Sequence, residues 1–392
     1  MAVLGILAVN AASFAAPGSA AYSPDIPSPG SAADHWAFAF TFVFFEGKMR
    51  ALFSILFGAS LILFIERKEA AGAGSAGLQV RRLLWLALFG LLHFALLWDG
   101  DILLLYAVVG LGALFLRRAP ARDLALLAAL LFSLWQAWGS MTWLPSVWQE
   151  ARVAAGTATV REEAAHDAYL AALRRADRED TAATLLPYAA EVSTRLTKRW
   201  DHPLAVIAQT WGETLSYVMI GMALLKSGFF AAAWPRRRMI LLAIGGLGSG
   251  LALTVAFTAW AMAAGWPAAA MRMAVGYALG WPHLLMALGY AALLVLTAPR
   301  LLASGLGRRL ETAGQMAFSN YIATSVVMTA LFSGWGLGLF GAFGHALQWP
   351  VILLVWALML GWSAPWLQRH RHGPLEWLWR GLTEWRIVPL RQ

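Results

Sequence analysis

The stretch RRLLWLALFGLLHFALLWDGDILLLYAVVGLGALFLRR, residues 81–118, decides the fold. Two apolar runs, 83–99 and 101–118, meet at the tetrapeptide WDGD, and their far ends carry Arg81 with Arg82 and Arg117 with Arg118. A helix rises about 1.5 Å per residue, so runs of this length approach the roughly 30 Å hydrocarbon core of a bilayer. The reading is a helical hairpin that crosses a membrane twice, turns at Gly100 and returns its arginines to one side. Helices suit that environment because they satisfy their own backbone groups where water cannot.

Outward from the hairpin the pattern recurs. Further spans are predicted near 2–16, 49–66, 122–142, 203–226, 238–262, 271–297, 311–334 and 349–368, which gives an all-α, polytopic transmembrane bundle of about ten helices forming one domain over 1–392. Residues 1–16 are read as a short first helix and not as a signal peptide, because no basic segment precedes the apolar run. Under this count Arg67, Lys68, Arg81 and Arg82 share a face with Arg117, Arg118 and Arg122, with Lys226 and Arg236, with Arg300 and Arg308, and with Arg369 and Arg380. Positive charge collects on the cytoplasmic side, so both termini are predicted to be cytoplasmic. Residues 17–48 become an extracytoplasmic segment with an interfacial helix, 143–202 an extracytoplasmic helical cap, and 369–392 a cytoplasmic amphipathic tail.

Composition agrees with a lipid bilayer as the main partner. Sixty per cent of residues are hydrophobic and 13% charged, against about a quarter charged in soluble domains. The net charge of +9 sits in short clusters between apolar runs and so implies no nucleic acid partner. With no cysteine there is no disulfide, thiolate nucleophile or thiolate metal site. No nucleotide loop, zinc motif, GxSxG elbow or iron-carboxylate pattern occurs either, and no metal site is predicted.

Ionisable groups inside spans are costly unless partnered, which makes each a functional candidate. Counted from the predicted span starts, His93, Glu213, His283 and Asn320 each lie roughly 13 to 18 Å deep at about 1.5 Å per residue, and equal depth predicts one shared polar cavity. His93 and Glu213 would form an acid/base pair, while Asn320 alone fits interhelical hydrogen bonding. At WDGD, Asp101 can cap the following helix and Gly100 can take a positive φ; alternatively Asp99 orients an imidazole or a substrate hydroxyl, through water or another side chain. Glu46, Lys48 and Arg50 either snorkel or form a rim that grips an anionic group, with Arg272 joining them. His35 beside Trp36 is a candidate outer-face base, although a loop histidine is more often simply solvated.

Several strings carry a resemblance. MAVLGILAVN, FEGKMRALFSILFGA, the hairpin with its histidine and paired acids, WGETLSYVMIGMALLKSGFF, GQMAFSNYIATS and GPLEWLWRGLTEWR are similar to successive blocks of the YeiB-like family of bacterial membrane proteins, domain of unknown function 418. That resemblance implies a multi-pass protein of the bacterial inner (plasma) membrane. The Asp and Arg-Gly pair usual ahead of the first helix is absent, which implies a shortened start. The family looks distantly like transmembrane acyltransferases, including the heparan glucosaminide N-acetyltransferase group, in which a histidine after the first helix is catalytic; by position His35 corresponds, whereas His93 matches the family's own pattern better.

Two functions are therefore expected. In the first, a cytoplasmic acyl donor such as acyl-CoA enters among the helices, His93 or His35 deprotonates an acceptor on a lipid or glycan, Lys48 and Arg50 hold anionic groups, and Asn320 and Tyr321 donate to the developing oxyanion. In the second, His93, Glu213 and His283 form the midplane site of a small-molecule transporter. A structural or assembly role is the third reading.

Overall fold

The computed structural model describes residues 1–70, 72 and 75–391. It is an all-α bundle. Helix α1 (Ala2–Ala15) precedes α2 (Ala32–Phe44) and α3 (Lys48–Ala70), and the hairpin is α4 (Ser75–Leu96) with α5 (Leu103–Leu114). Helix α6 (Ala121–Ala154) runs beyond the apolar segment into the polar region 143–202, which also holds α7 (Val160–Thr184) and α8 (Tyr188–Lys198). The chain returns through α9 (His202–Lys226), α10 (Arg236–Ala263), α11 (Ala268–Met273), a π turn at Ala274–Ala278 and α12 (Gly280–Ala303). Helices α13 (Gly305–Gln315), α14 (Ala317–Phe332), α15 (His345–Arg369) and α16 (Pro374–Glu384) complete it.

The count of ten spans needs correction. Among the described residues six helices are long and apolar enough to cross a membrane: Ala32–Ala70, Gly77–Leu96, Ala121–Ala154, Arg236–Ala263, Gly280–Ala303 and His345–Arg369. Each of the other predicted spans contains a helix, but α1, α5 and α14 have 14, 12 and 16 residues, or about 21, 18 and 24 Å. Protein, not lipid, surrounds them: α1 packs on α3, α14 and α15, and α5 lies against α4 and α9. A helix shielded in this way need not match the bilayer thickness. The eighth predicted span, 271–297, is broken as well, because the main helix begins only at Gly280, with Pro282 in its first turn where a missing N–H costs nothing. The chain is a multi-pass membrane protein.

Helix α9 is the axis of the bundle, touching α3, α5 and α6, and its Tyr217, Val218, Met219 and Met222 are fully covered. Reciprocal glycines bring α3 and α9 together: a Cβ on Gly58 would strike the Val218 carbonyl, and one on Gly221 would strike the Ile55 carbonyl. Gly246 and Gly250 of α10 meet carbonyls of α12 similarly, the small-residue packing expected of membrane helices. Backbone cannot move aside as a flexible side chain can, so Gly221→Leu is expected to lower the melting temperature of the detergent-solubilised protein or prevent its assembly, whereas Gly112→Ala, which meets nothing within 4 Å, should be neutral.

Helix α16 ties three helix ends together. Glu376 accepts from Phe318 N at 2.8 Å and Ser319 N at 3.0 Å, capping α14. Trp379 Nε1 donates to the Arg82 carbonyl of α4 at 2.9 Å, and Glu384 pairs with Lys68 of α3 at 2.9 Å and accepts from Arg386 Nε at 2.7 Å. Cover by neighbours would raise the Glu384 pKa, yet the hydrogen bonds from Lys68 and Arg386 and the adjacent cations overcome it and push it down to about 2 from an ordinary 4.5. A depressed carboxyl pKa stabilises the fold above its unfolded value and loses that contribution as pH falls through the folded one. Hydrogen-exchange protection of α16 should therefore be constant from neutrality to about pH 4.5 and decline towards pH 2; Glu384→Gln should remove that step.

Candidate functional site

The hairpin builds the first polar cluster. Asp101 Oδ2 accepts from the Leu104 backbone N–H at 3.0 Å, capping α5, and Oδ1 lies 2.9 Å from His93 Nδ1. Gly90, one turn before His93, makes this possible, because a Cβ there would crowd Leu104 N and Asp101 Oδ2. Gly100 does not adopt a positive φ; instead the Trp98 ring folds over it, closer than a Cβ would permit. An ionised Asp101 fixes the proton on Nδ1 and leaves Nε2 as an acceptor, 2.9 Å from Ser325 Oγ on α14. Carboxylate, imidazole and hydroxyl thus stand in series, the arrangement that activates a nucleophile in unrelated hydrolases. His93 is 2% exposed and Ser325 1%. The Tyr321 ring packs on the imidazole with centroids 5.1 Å apart.

Asp99 does not orient His93. It pairs with Arg199 at 2.8 Å, and Arg199 also holds Asp180 of α7 at 2.9 Å, so this acid clamps the hairpin to the polar helices.

A second cluster forms where α3 meets α9. Arg50 Nε lies 3.2 Å from Glu213 Oε2, Arg50 is 3.9 Å from Glu46, and the Tyr217 hydroxyl donates to Glu213 Oε1 at 2.9 Å. Lys48 is not on this rim: its Nζ donates to the Phe42 carbonyl at 2.7 Å and is wholly covered. His283 packs against Gly47 and edge-on to Phe42, with its Nε2 unpartnered. Arg272 stands apart, over the rings of Tyr22 at 4.7 Å and Trp143 at 5.4 Å. Asn320 spends its amide on structure, donating to the Ala313 carbonyl and Ser363 Oγ and accepting from Trp362 Nε1. His35 Nε2 is 2.7 Å from Asp25 Oδ1 near the start of α2. Of the four residues of matched predicted depth, His93, Glu213 and Asn320 thus bond into three separate clusters and His283 only packs against Gly47 and Phe42, so they form no common site.

Three hollows are linked by shared lining residues near Ser325. A narrow slot of about 10 Å³ contains Ser325, Tyr321, Val3 and Asn10 in its wall. Val3 and Tyr321 also line an apolar cavity of about 350 Å³ that ends at Arg82 and Trp379, near the arginine-rich ends of α3 and α4. Asn10 also lines a polar chamber of about 200 Å³ on the other side, with Ser13, Thr41, Glu46, Arg50, His345 and Gln348. Sequence reasoning missed Ser325, His345, Gln348 and Tyr217. Among the described residues no three His, Asp or Glu side chains are grouped to hold a metal ion.

Residues 224–386 match the family described as "Protein of unknown function (DUF418)". Over 98% of this chain the sequence is 29% identical to the uncharacterized protein YxaH of Bacillus subtilis (strain 168), covering 92% of that protein, and 29% identical to the uncharacterized protein YeiB of Escherichia coli (strain K12), covering 94%. The chain is thus similar to the YeiB-like DUF418 proteins, with the family match confined to residues 224–386. An uncharacterized 39.9 kDa protein from the amylase 3' region of Bacillus acidopullulyticus is 24% identical over 90% of the chain and 84% of its own length. No solved structure matches. The family match begins at Leu224, so the histidine, the paired acids and the α3 cluster lie outside the matched segment, whereas Ser325 and α16 lie within it.

Proposed function

We propose that this protein is a transmembrane acyltransferase of the bacterial inner (plasma) membrane, passing an acyl group from a cytoplasmic donor through Ser325 to an extracytoplasmic lipid or glycan acceptor. The arginine-rich face, with both termini, is taken as cytoplasmic. One observation carries the reading: a serine hydroxyl set on the His93–Asp101 pair lies in the slot between an apolar cavity on the basic side and a polar chamber on the other. Ser325 Oγ attacks the carbonyl carbon of an acyl thioester such as an acyl-CoA, and the C–S bond breaks. His93 Nε2 takes the serine proton and delivers it to the departing thiolate. The acceptor hydroxyl then attacks the Ser325 ester, His93 takes its proton, and that proton returns to Ser325 Oγ as the ester C–O bond breaks. Asp101 stabilises the imidazolium in both halves. His35, away from this path, has no step in it.

A transporter is the second reading, favoured by the Glu46–Arg50–Glu213 cluster, whose Glu46 and Arg50 face the polar chamber. Mass spectrometry of lipids and envelope glycans from cells with wild-type protein, without it, and with Ser325→Ala separates the two. An acylated species absent from both deficient strains supports transfer; identical profiles in all three would sink it.

A further inference from the structure

Among the described residues no carboxylate lies within 4.0 Å of the Arg82 guanidinium, which stands over two rings, 4.9 Å from the Phe64 centroid and 4.4 Å from that of Trp379. Two rings therefore neighbour the cation, while its N–H groups are not committed to an acid among the described residues. Glu376, in the wall of the same 350 Å³ cavity, makes no ion pair with it and instead accepts from the first amides of α14. Beyond Arg82 the lining turns apolar, with Phe53, Leu56, Phe57 and Leu86. The volume falls in the range of about 300 to 1,000 Å³ typical of small-ligand sites and exceeds the roughly 150 Å³ that accommodates benzene in an engineered apolar cavity. A cation beside hydrocarbon is costly unless an anion or water meets it.

We propose that this cavity binds an anionic single-chain amphiphile, with the alkyl chain in the apolar interior and an acidic head, phosphate or carboxylate, on the edge of Arg82. A planar guanidinium suits such a head because it offers two parallel donors. The proposal deepens the transfer reading by naming the chemical class of the donor, and it depends on that reading only for the claim that the bound chain is the one transferred.

The test is native mass spectrometry of the full-length protein in neutral phosphatidylcholine nanodiscs, titrated with dodecyl phosphate and with dodecanol. One dodecyl phosphate per chain is expected, with dodecanol at least about tenfold weaker, as a lost charge-assisted contact implies. Arg82→Gln should weaken dodecyl phosphate binding about tenfold or more and Arg82→Lys much less, while Leu86→Trp, which fills the cavity, should weaken it with Arg82 intact; each variant is first shown to elute as the wild type does. Equal binding of phosphate and alcohol, or binding indifferent to both Arg82→Gln and Leu86→Trp, would overturn the proposal. Competition by lauroyl-CoA identifies a soluble thioester as the source of the amphiphile, and competition by lysophosphatidylglycerol alone identifies a membrane lipid. Ser325→Ala should bind dodecyl phosphate as the wild type does while losing transfer; wild-type protein that binds the amphiphile yet forms no acylated product would defeat the transfer reading and leave the cavity assignment standing.

Discussion

His93→Ala is expected to lower formation of the acylated product by roughly two to four orders of magnitude, the usual worth of a positioned general base, without loss of membrane insertion. Ser325→Ala should do the same, and the double variant should be little worse than either single one, because groups that act as a unit lose their whole contribution with the first removal. That non-additivity separates catalysis from packing. Asp101→Asn should be milder in stability but comparably inactive: an amide can present an N–H where the carboxylate accepted one, which reverses the imidazole tautomer and puts a proton on Nε2, the atom meant to receive one from Ser325. The measurement is product yield per unit of inserted protein, with size-exclusion profiles in detergent as the control for folding. A Ser325→Ala protein with wild-type yield would remove the serine from the mechanism and leave His93 acting directly on the acceptor.

What could be read beforehand, and what could not, follows from the range of the forces involved. The hairpin was legible because its signals are local: two apolar runs, a tight acidic turn and arginines at the far ends all lie within residues 81–118. His93 and Asp101 stood out as ionisable groups in apolar surroundings. The sequence alone gives the imidazole to Asp99 and leaves Asp101 as a cap, because the true choice depends on Arg199, a hundred residues away, which takes Asp99 for itself. Ser325 carried no signal. Membrane serines commonly return their hydroxyl to the preceding turn, as Ser54 and Ser363 do here; Ser325 also reaches the Tyr321 carbonyl at 3.2 Å, and only the tertiary packing that sets His93 2.9 Å from the same oxygen distinguishes it. Lys48 was misplaced for a backbone reason: Gly47 takes φ 72°, and the turn sends the lysine inwards to the Phe42 carbonyl. The expectation of one cavity at common depth failed because it counted from span starts as though they lay in a plane. Helix α4 begins at Ser75, well before the predicted 83, which leaves His93 three residues from its end, whereas Asn320 lies three residues from the start of α14.

The α3–α9 ion cluster yields the second large effect, and its sign structure makes it informative. Arg50 stands between Glu213, whose side chain is 5% exposed, and Glu46, whose side chain is 13% exposed. Arg50→Met leaves two buried carboxylates facing each other with no cation between them; Glu213→Gln leaves Arg50 with Glu46 still beside it and keeps a group that Tyr217 can bond. The arginine change should therefore be clearly the worse. Removing one partner of a buried pair costs about 3 to 5 kcal/mol, and the lower end applies because a third of the Arg50 side chain is open to the chamber. Combining Arg50→Met with Glu213→Gln should recover part of that loss, since the second change removes the charge that the first left stranded, whereas independent sites would simply add. Thermal unfolding of the solubilised protein across this cycle gives the coupling directly. Strict additivity would mean that the pair adds nothing to stability, and the retention of two carboxylates and a cation at such depth would then argue for ion or proton passage over a structural role.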